Sequence, residues 1–332
     1  MKVIGFEAAN SYVKIKTDDS QEAYFNCLWE IPADYLSNIM GTRGTKEQIA
    51  QYDGRSFKVG ERLDGYVSSS SRSADRYATP EYKREALFAL ARHASAVDLD
   101  EGLHVVTAVP SDHYKMESVT RDIEKQLRDV HALTVNGSSL LLPVKKVGVI
   151  LQPVATVISV AFNPDGSLRN GAVAKNRKIV IDIGWGTTDI AVMRGLALIK
   201  YFTVNTSMID VYRYINTQLR KRPRFTDKSF TLFDIEEQLR GESSIFSWGG
   251  VSVDCSDNKA AAMQQVAEEI ISKIQNEVNL SDTDLVLFGG GGIEALAPHM
   301  KKHVEGVNAQ RVTDPQIANA VGCYIYGKSK NR

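Results

Sequence analysis

No run of apolar residues in this chain approaches the roughly 20 that a membrane-spanning helix needs. No surplus of either charge exists: 40 lysines and arginines meet 40 aspartates and glutamates over 332 residues. A net charge of zero supplies no field to draw nucleic acid or an anionic membrane, so direct contact with either is not expected. A neutral chain also repels copies of itself only weakly, which permits self-association. Cysteine is scarce. Cys27, Cys255 and Cys323 are odd in number, far apart and without a CxxC pair, which fits free thiols in a reducing compartment. The first residues enter a strand pattern directly, with no basic-then-apolar export signal, so the expected location is cytoplasmic.

What is present is an ordinary globular composition, 43% hydrophobic and 24% charged, with a mean hydropathy of −0.22. The length exceeds one small core and predicts two lobes. Segments rich in Val, Ile, Phe, Tyr and Trp predict strands over 2–8, 11–17 and 22–30. From about 40 to 79 the chain is polar and glycine-rich, ending in SSSSRSADRY, which reads as a small subdomain with a mobile loop and not as core. Thr79 and Pro80 then open a helix whose Tyr82, Ala86, Leu87, Leu90 and Ala91 share one face. HVVTAVP (104–110) has the pattern of a buried strand, 115–129 that of an amphipathic helix, and Asn136-Gly137 marks a hairpin. VATVISVAF predicts a helix that leads out of the first half.

A second series starts with strands over 178–183, 188–193 and 197–204. Helices follow near 206–220, 232–240 and 259–278, then a short strand running into FGGGG (288–292) and a last helix near 314–326. Strands then helices, twice over, predict an α/β fold of two similar lobes. The first is 1–160, with a smaller subdomain near 30–80, completed by 314–332; the second is 161–313, with a smaller subdomain near 215–260.

Two stretches carry the chemistry. In IVIDIGWGTTDIAV (179–192) a strand ends at Asp182, and Gly184 and Gly186 remove the Cβ atoms that would keep a ligand off the backbone. Thr187 and Thr188 are read as added hydroxyl donors. Amides in a nest beside a carboxylate suit a phosphate chain carrying Mg²⁺; a hairpin turn with nothing bound accounts for this stretch equally well. VIGFEAANSYVKI (3–15) repeats the plan: Glu7 ends a strand, Ala8, Ala9 and Ser11 are small, and Lys14 stands where Asp189 stands in the other copy. A lysine there balances phosphate charge. The third glycine turn, FGGGG, lets a backbone approach something flat, as a nucleotide base requires.

In this order the motifs resemble those of the actin-like ATPases, within the superfamily that also holds sugar kinases and DnaK-type chaperones. The resemblance runs the whole length. GFEAANSYVK looks like the first phosphate motif, ILQPVA the first connecting motif, DIGWGTTD the second phosphate motif, LFGGGG the adenosine motif, and DPQIANAVGCYIY the second connecting helix. DRYATPEYKREALFALA and DPQIANAVG are most similar to ParM-type plasmid-partition actins. The resemblance implies an actin-like (ribonuclease-H-like) duplicated fold with two lobes around a nucleotide cleft. It implies ATP, or GTP, with Mg²⁺, and a head-to-tail filament that assembles with nucleotide and comes apart after slow hydrolysis. It further implies a DNA-binding adaptor protein on a plasmid centromere.

Carried across, Glu7 and Asp182 stand near the metal, through water, and Lys14 near the phosphates with Ala9, Asn10, Ser11 and Tyr12. Gly184, Trp185, Gly186, Thr187 and Thr188 form the second phosphate turn. Gln152 orients the attacking water; its amide is no strong base but donates and accepts. Glu237, or its neighbour Glu236, holds the ribose, and Gly289, Gly290, Gly291 and Gly292 flank the adenine or ribose. The family usually has Asp at Glu7 and Gly at Ala9, and many relatives carry glycines in the turn NTSMID (205–210). A longer carboxylate and a narrower phosphate approach bear on metal placement and turnover. Two alternatives remain at this point: a non-polymerising nucleotide-binding switch, and a small-molecule kinase of the same superfamily. His299 and His303, the basic run RKRPR (220–224) and SSSSRS (68–73) read as solvated surface, a solvated face or protomer contact, and a flexible loop.

Overall fold

A computed structural model describes residues 1–32, 48–63, 65–93 and 101–331. The chain divides into two compact units, Met1–Gly171 with Gln316–Arg332, and Ala172–Pro315.

In the first unit, β1 (Lys2–Ala8), β2 (Tyr12–Lys16), β3 (Gln21–Phe25), β4 (Leu28–Glu30), β5 (Gln48–Tyr52), β6 (Arg55–Val59), β7 (Leu103–Val109), β8 (Val130–Val135) and β9 (Ser138–Leu151) join one sheet. Their order is β3-β2-β1-β7-β9-β8-β5-β6-β4. β1 to β3 form an antiparallel meander, while β7 lies parallel to both β1 and β9. Parallel strands are covered on both faces, so they read as continuous apolar runs; every residue of LHVVTAV in β7 is buried. β9 serves two partners. Residues 138–143 pair antiparallel with β8 and 144–151 run parallel to β7. The change falls at Pro143, which has no N–H to give a ladder.

Helices α1 (Pro80–His93), α2 (Glu117–Leu127) and α3 (Gln152–Ala161) cover this sheet together with the C-terminal helix Ala318–Lys330. Close approach of that last helix depends on missing side chains. A Cβ on Gly5 would lie 2.0 Å from Ala320 O, and one on Gly322 would lie 1.9 Å from Ala155 O.

The second unit repeats the plan. β10 (Arg177–Ile183), β11 (Thr188–Arg194) and β12 (Ala197–Val204) form an antiparallel meander, and β13 (Ile245–Trp248) with β14 (Val251–Asp254) forms a separate hairpin. β15 (Leu285–Gly289) and β16 (Ala309–Arg311) extend the main sheet in parallel, giving the order β12-β11-β10-β15-β16. Helices α4 (Met208–Arg220), α5 (Leu232–Leu239), α6 (Ser256–Glu277) and α7 (Ile293–Met300) precede α8, the C-terminal helix already described. Capping boxes open α4 at Ser207–Asp210 and α5 at Thr231–Asp234, so each satisfies orphan amides of its first turn.

Several sequence expectations shift. The single strand expected over 22–30 is two strands in different parts of the sheet, because Asn26 turns inward and donates to Ala9 O. Within the polar stretch from 40 to 79, residues 40–47 and 64 lie outside the described residues. The rest does contribute core: Ala50 and Phe57 are fully buried on a hairpin turned by Asp53-Gly54, both at positive φ. The Gly249-Gly250 hairpin of β13 and β14 has no counterpart in the sequence reading. The last helix begins at Ala318 and not near 314, since Asp314 adopts φ 48° and Pro315 follows it. No described helix is long and apolar enough to cross a membrane.

Candidate functional site

In the first unit the turn at residues 9–12 joins β1 to β2. Glu7 lies directly across the ladder from Lys14, and side chains so placed share a face. Lys14 Nζ donates to Glu7 Oε2 at 2.9 Å, with both residues buried. Gln152 opens α3 where β9 ends, and its Nε2 donates to the other oxygen, Glu7 Oε1. The structure therefore gathers Glu7, Lys14 and Gln152 around one carboxylate. An aspartate, one methylene shorter, would have less reach to hold both partners at once.

The turn closes with Ala9 N donating to Tyr12 O at 3.0 Å. Several oxygens in and beside it are taken by donors from the same unit. Asn26 Nδ2 bonds Ala9 O at 2.7 Å, Asn26 N bonds Ser11 O at 2.9 Å, and Arg76 bonds Ala8 O at 2.8 Å and Asn10 Oδ1 at 2.9 Å. Arg62 donates to Ser11 Oγ at 3.1 Å while its guanidinium stacks 3.7 Å from the centre of the Phe25 ring. Each bond neutralises an acceptor. That is what an anion site requires, since an unsatisfied carbonyl beside a phosphate repels it.

The second unit builds its turn, residues 184–187, on the same register. Asp182 lies across from Asp189, and Gly184 N closes on Thr187 O at 2.9 Å, as Ala9 N does on Tyr12 O. Ala9 thus occupies the place of Gly184, where an added Cβ would come no nearer than 3.1 Å to Thr187 O; the substitution narrows the turn without blocking it. Here too oxygens in and beside the turn accept from the unit's own donors. Trp185 O accepts from Ile209 N and Ser207 Oγ, each at 2.8 Å, and Ile183 O accepts from Gly292 N at 2.9 Å.

The threonines do not act as the sequence suggests. Thr187 Oγ1 donates to Asp189 Oδ2 at 2.9 Å and Thr188 Oγ1 donates to Thr206 O at 2.7 Å, so both hydroxyl protons point into the fold. That leaves the amides as the turn's outward donors. Asp189, which also accepts from Thr203 Oγ1 at 2.7 Å, holds the turn's threonine instead of serving as a second ligand acid. The paired acids of DIGWGTTD thus divide their work: Asp182 stands at the strand end and Asp189 braces the turn.

FGGGG leans on this turn. Gly289 pairs with Asp182 in the ladder, and Gly290 adopts φ 80° with its missing Cβ 2.3 Å from Ile183 O and 2.6 Å from Asp182 Oδ1. A Cβ on Gly292 would meet Met208 Cγ at 2.6 Å. Glycines 290 and 292 therefore permit close packing between β15, β10 and α4, which sequence reasoning assigned wholly to a base or ribose. On α5, Glu236 is buried with Arg240 at 4.0 Å and Glu237 is exposed. Phe233 of the same helix stacks on Trp185, ring centroids 4.5 Å apart and 10° from parallel.

Sequence reasoning missed Arg62, Ser69, Arg76 and Asn26. SSSSRS is no free loop: Ser69 is buried, and Ser71 N donates to Asn10 Oδ1 at 3.1 Å. His299 bonds Gln264 at 3.1 Å, and no group of three or more His, Cys, Asp or Glu able to hold a metal occurs among the described residues. Glu7 in the first unit and Asp182 in the second each present a carboxylate, the hard oxygen donor that would suit Mg²⁺.

Two family models match. The actin-like proteins N-terminal domain covers residues 10–154, and the C-terminal domain of the archaeal actin homologue MreB-like covers residues 180–302. The chain belongs to the actin-like proteins. Solved structures of similar fold include a 15-stranded ParM filament from Clostridium botulinum, with a TM-score of 0.80 at 18% identity over 99% of both chains. The archaeal actin homologue Ta0583 in complex with ADP has a TM-score of 0.78 at 16% identity over 100% of both chains. The apo psk41 ParM protein has a TM-score of 0.70 at 18% identity over 99% of this chain and 98% of that one. No curated protein sequence matches this actin-like chain significantly.

Proposed function

We propose that this actin-like protein is a filament-forming nucleoside triphosphatase that binds ATP with Mg²⁺ and polymerises head to tail. The observation that carries the reading is the repeated turn. Each unit sets an acid near the end of its first strand, closes a four-residue turn with the same amide-to-carbonyl bond, and binds several oxygens in and beside that turn with its own donors. Such a turn offers amides to a phosphate. An ADP complex of one structural neighbour and a filament of another support nucleotide binding and self-association.

Hydrolysis asks the protein for positioning and for neutralisation of charge. Gln152 Nε2 is held by Glu7 Oε1, which turns the amide so that its Oε1 accepts a hydrogen bond from the attacking water. Lys14 keeps one donor on Glu7 and directs the others of its ammonium at phosphate oxygens. Mg²⁺ would supply charge neutralisation at the phosphates, and Glu7 in the first unit and Asp182 in the second each offer a carboxylate that would hold it. An amide is a weak activator, so turnover is slow and times the life of a polymer. Cargo is plasmid DNA, reached through a DNA-binding adaptor, with the protein itself in the cytoplasm. Motifs shared with ParM-type sequences support this last step.

High-speed sedimentation with ATP, ADP or no nucleotide, read beside phosphate release and electron micrographs, tests the reading. Filaments that require ATP and Mg²⁺ are expected. Phosphate release that depends on an added sugar or acid, with no polymer, would replace the reading with that of a small-molecule kinase.

A further inference from the structure

We infer that Arg76 is a positioning residue for the first phosphate turn, held in place by Ser69 and Glu85; this rests on the phosphate role proposed for that turn. Arg76 is 6% exposed and its guanidinium reaches three acceptors. Nη1 donates to Asn10 Oδ1 at 2.9 Å, while Nη2 donates to Ala8 O at 2.8 Å and to Ser69 Oγ at 2.9 Å. Behind it Glu85, fully buried on α1, accepts from Ser69 N at 2.5 Å and from Ser69 Oγ. A single bonded chain therefore runs from helix α1 through Ser69 and Arg76 to both ends of the Ala8–Asn10 segment.

The energetics say what such a chain is for. Removing a carboxylate and a guanidinium from water is expensive, and a buried ion pair seldom returns more stability than well-packed apolar residues would. What a planar fork gives is geometry, because its donors sit at fixed angles and a lysine cannot reproduce them. Of the three acceptors, Asn10 Oδ1 belongs to the turn and Ala8 O ends the strand that enters it. Ala8 O and Asn10 Oδ1 are oxygens that would oppose a phosphate if they faced it, and Arg76 binds both. The guanidinium meets Glu85 only through Ser69, and burial raises that carboxyl above its usual range. The contribution of Arg76 is to fix the direction in which the turn's amides point.

Arg76→Lys tests this, since it keeps the charge opposite Glu85 and loses the fork. The first readout needs no nucleotide: hydrogen exchange of backbone amides at residues 9–12 against those of Val3–Phe6 in the same strand. Exchange faster by about tenfold or more in the turn, with the strand unchanged, is expected; uniform acceleration, or none, overturns the inference. The second readout is Mg-ATP affinity in a double-mutant cycle with Asn10→Ala. Each single variant should weaken binding several-fold, and the pair should weaken it by less than the product of the two. Multiplying effects, or an Arg76→Lys affinity equal to that of the unaltered protein, overturn it. If the unaltered protein binds no nucleotide, the phosphate reading fails and the exchange comparison still decides the positioning role. Should Arg76→Lys not fold, Ser69→Ala, which removes one anchor of Arg76 and touches no turn atom, carries both readouts with the same expected direction.

Discussion

Gly290 shows at the scale of one residue how the glycine turns work. Its φ of 80° disfavours any side chain, and a Cβ would press on Ile183 O and Asp182 Oδ1 at 2.3 and 2.6 Å. Gly290→Ala should therefore cost roughly 2–4 kcal/mol, a left-handed φ and an overpacked Cβ each adding on the order of 1–3 kcal/mol. A urea unfolding midpoint lowered to match, together with weakened Mg-ATP binding through the displaced Asp182, checks it. Glu7 makes the complementary point. Its two oxygens hold Lys14 and Gln152 separately, so a residue that departs from the family pattern carries two contacts at once.

At the scale of elements, the docking of α8 is the sharpest dependence. The helix lies against β1 and α3 only because Gly5 and Gly322 lack side chains, and Ala155 O would stand 1.9 Å from a Cβ at 322. Gly322→Ala forces backbone apart and should destabilise the first unit by about 1–3 kcal/mol or more. Proteolysis within 316–332, measured as a rate, should rise with it.

Legibility in the sequence divides along the same line. The equal spacing of Glu7–Lys14 and Asp182–Asp189 is local, and it announced two hairpins of one register. The partners of those hairpins were not legible, because Ser69 and Arg76 lie 59 or more positions from Asn10 in a stretch whose composition is that of a loop. For Thr188 nothing local shows that Thr206 O waits behind it, whereas the acceptor of Thr187, Asp189, stands only two positions on. Asp53-Gly54 and Gly249-Gly250, by contrast, are ordinary hairpin signals in plain view.

At the scale of the whole molecule, acid sensitivity is unevenly placed. His93, His104, His113 and His131 all belong to the first unit, and burial holds each below the usual imidazole value near 6.5. Glu22 beside His93, with bonds to Asn331 Oδ1, Arg72 O and Leu127 O at the others, offsets burial only in part. A folded state that resists protonation binds fewer protons than the unfolded chain below that pH. Stability from this source is therefore present above about pH 6.5 and lost as the pH falls through it. The melting temperature should hold from pH 8 to 7.5 and fall from 7 to 5.5, with hydrogen exchange rising first in the first unit. His113→Gln should flatten part of that slope.

Both turns are assigned to one activity, and binding decides whether that is so. Mg-ATP titrations of the unaltered protein, of Glu7→Gln/Lys14→Met and of Asp182→Asn test it most directly, since the double change removes a buried ion pair together and leaves no lone charge. The account predicts that each variant loses roughly tenfold or more in affinity, as expected for a charge-assisted bond of about 1.5–3 kcal/mol. Affinity equal to that of the unaltered protein in either variant would contradict it.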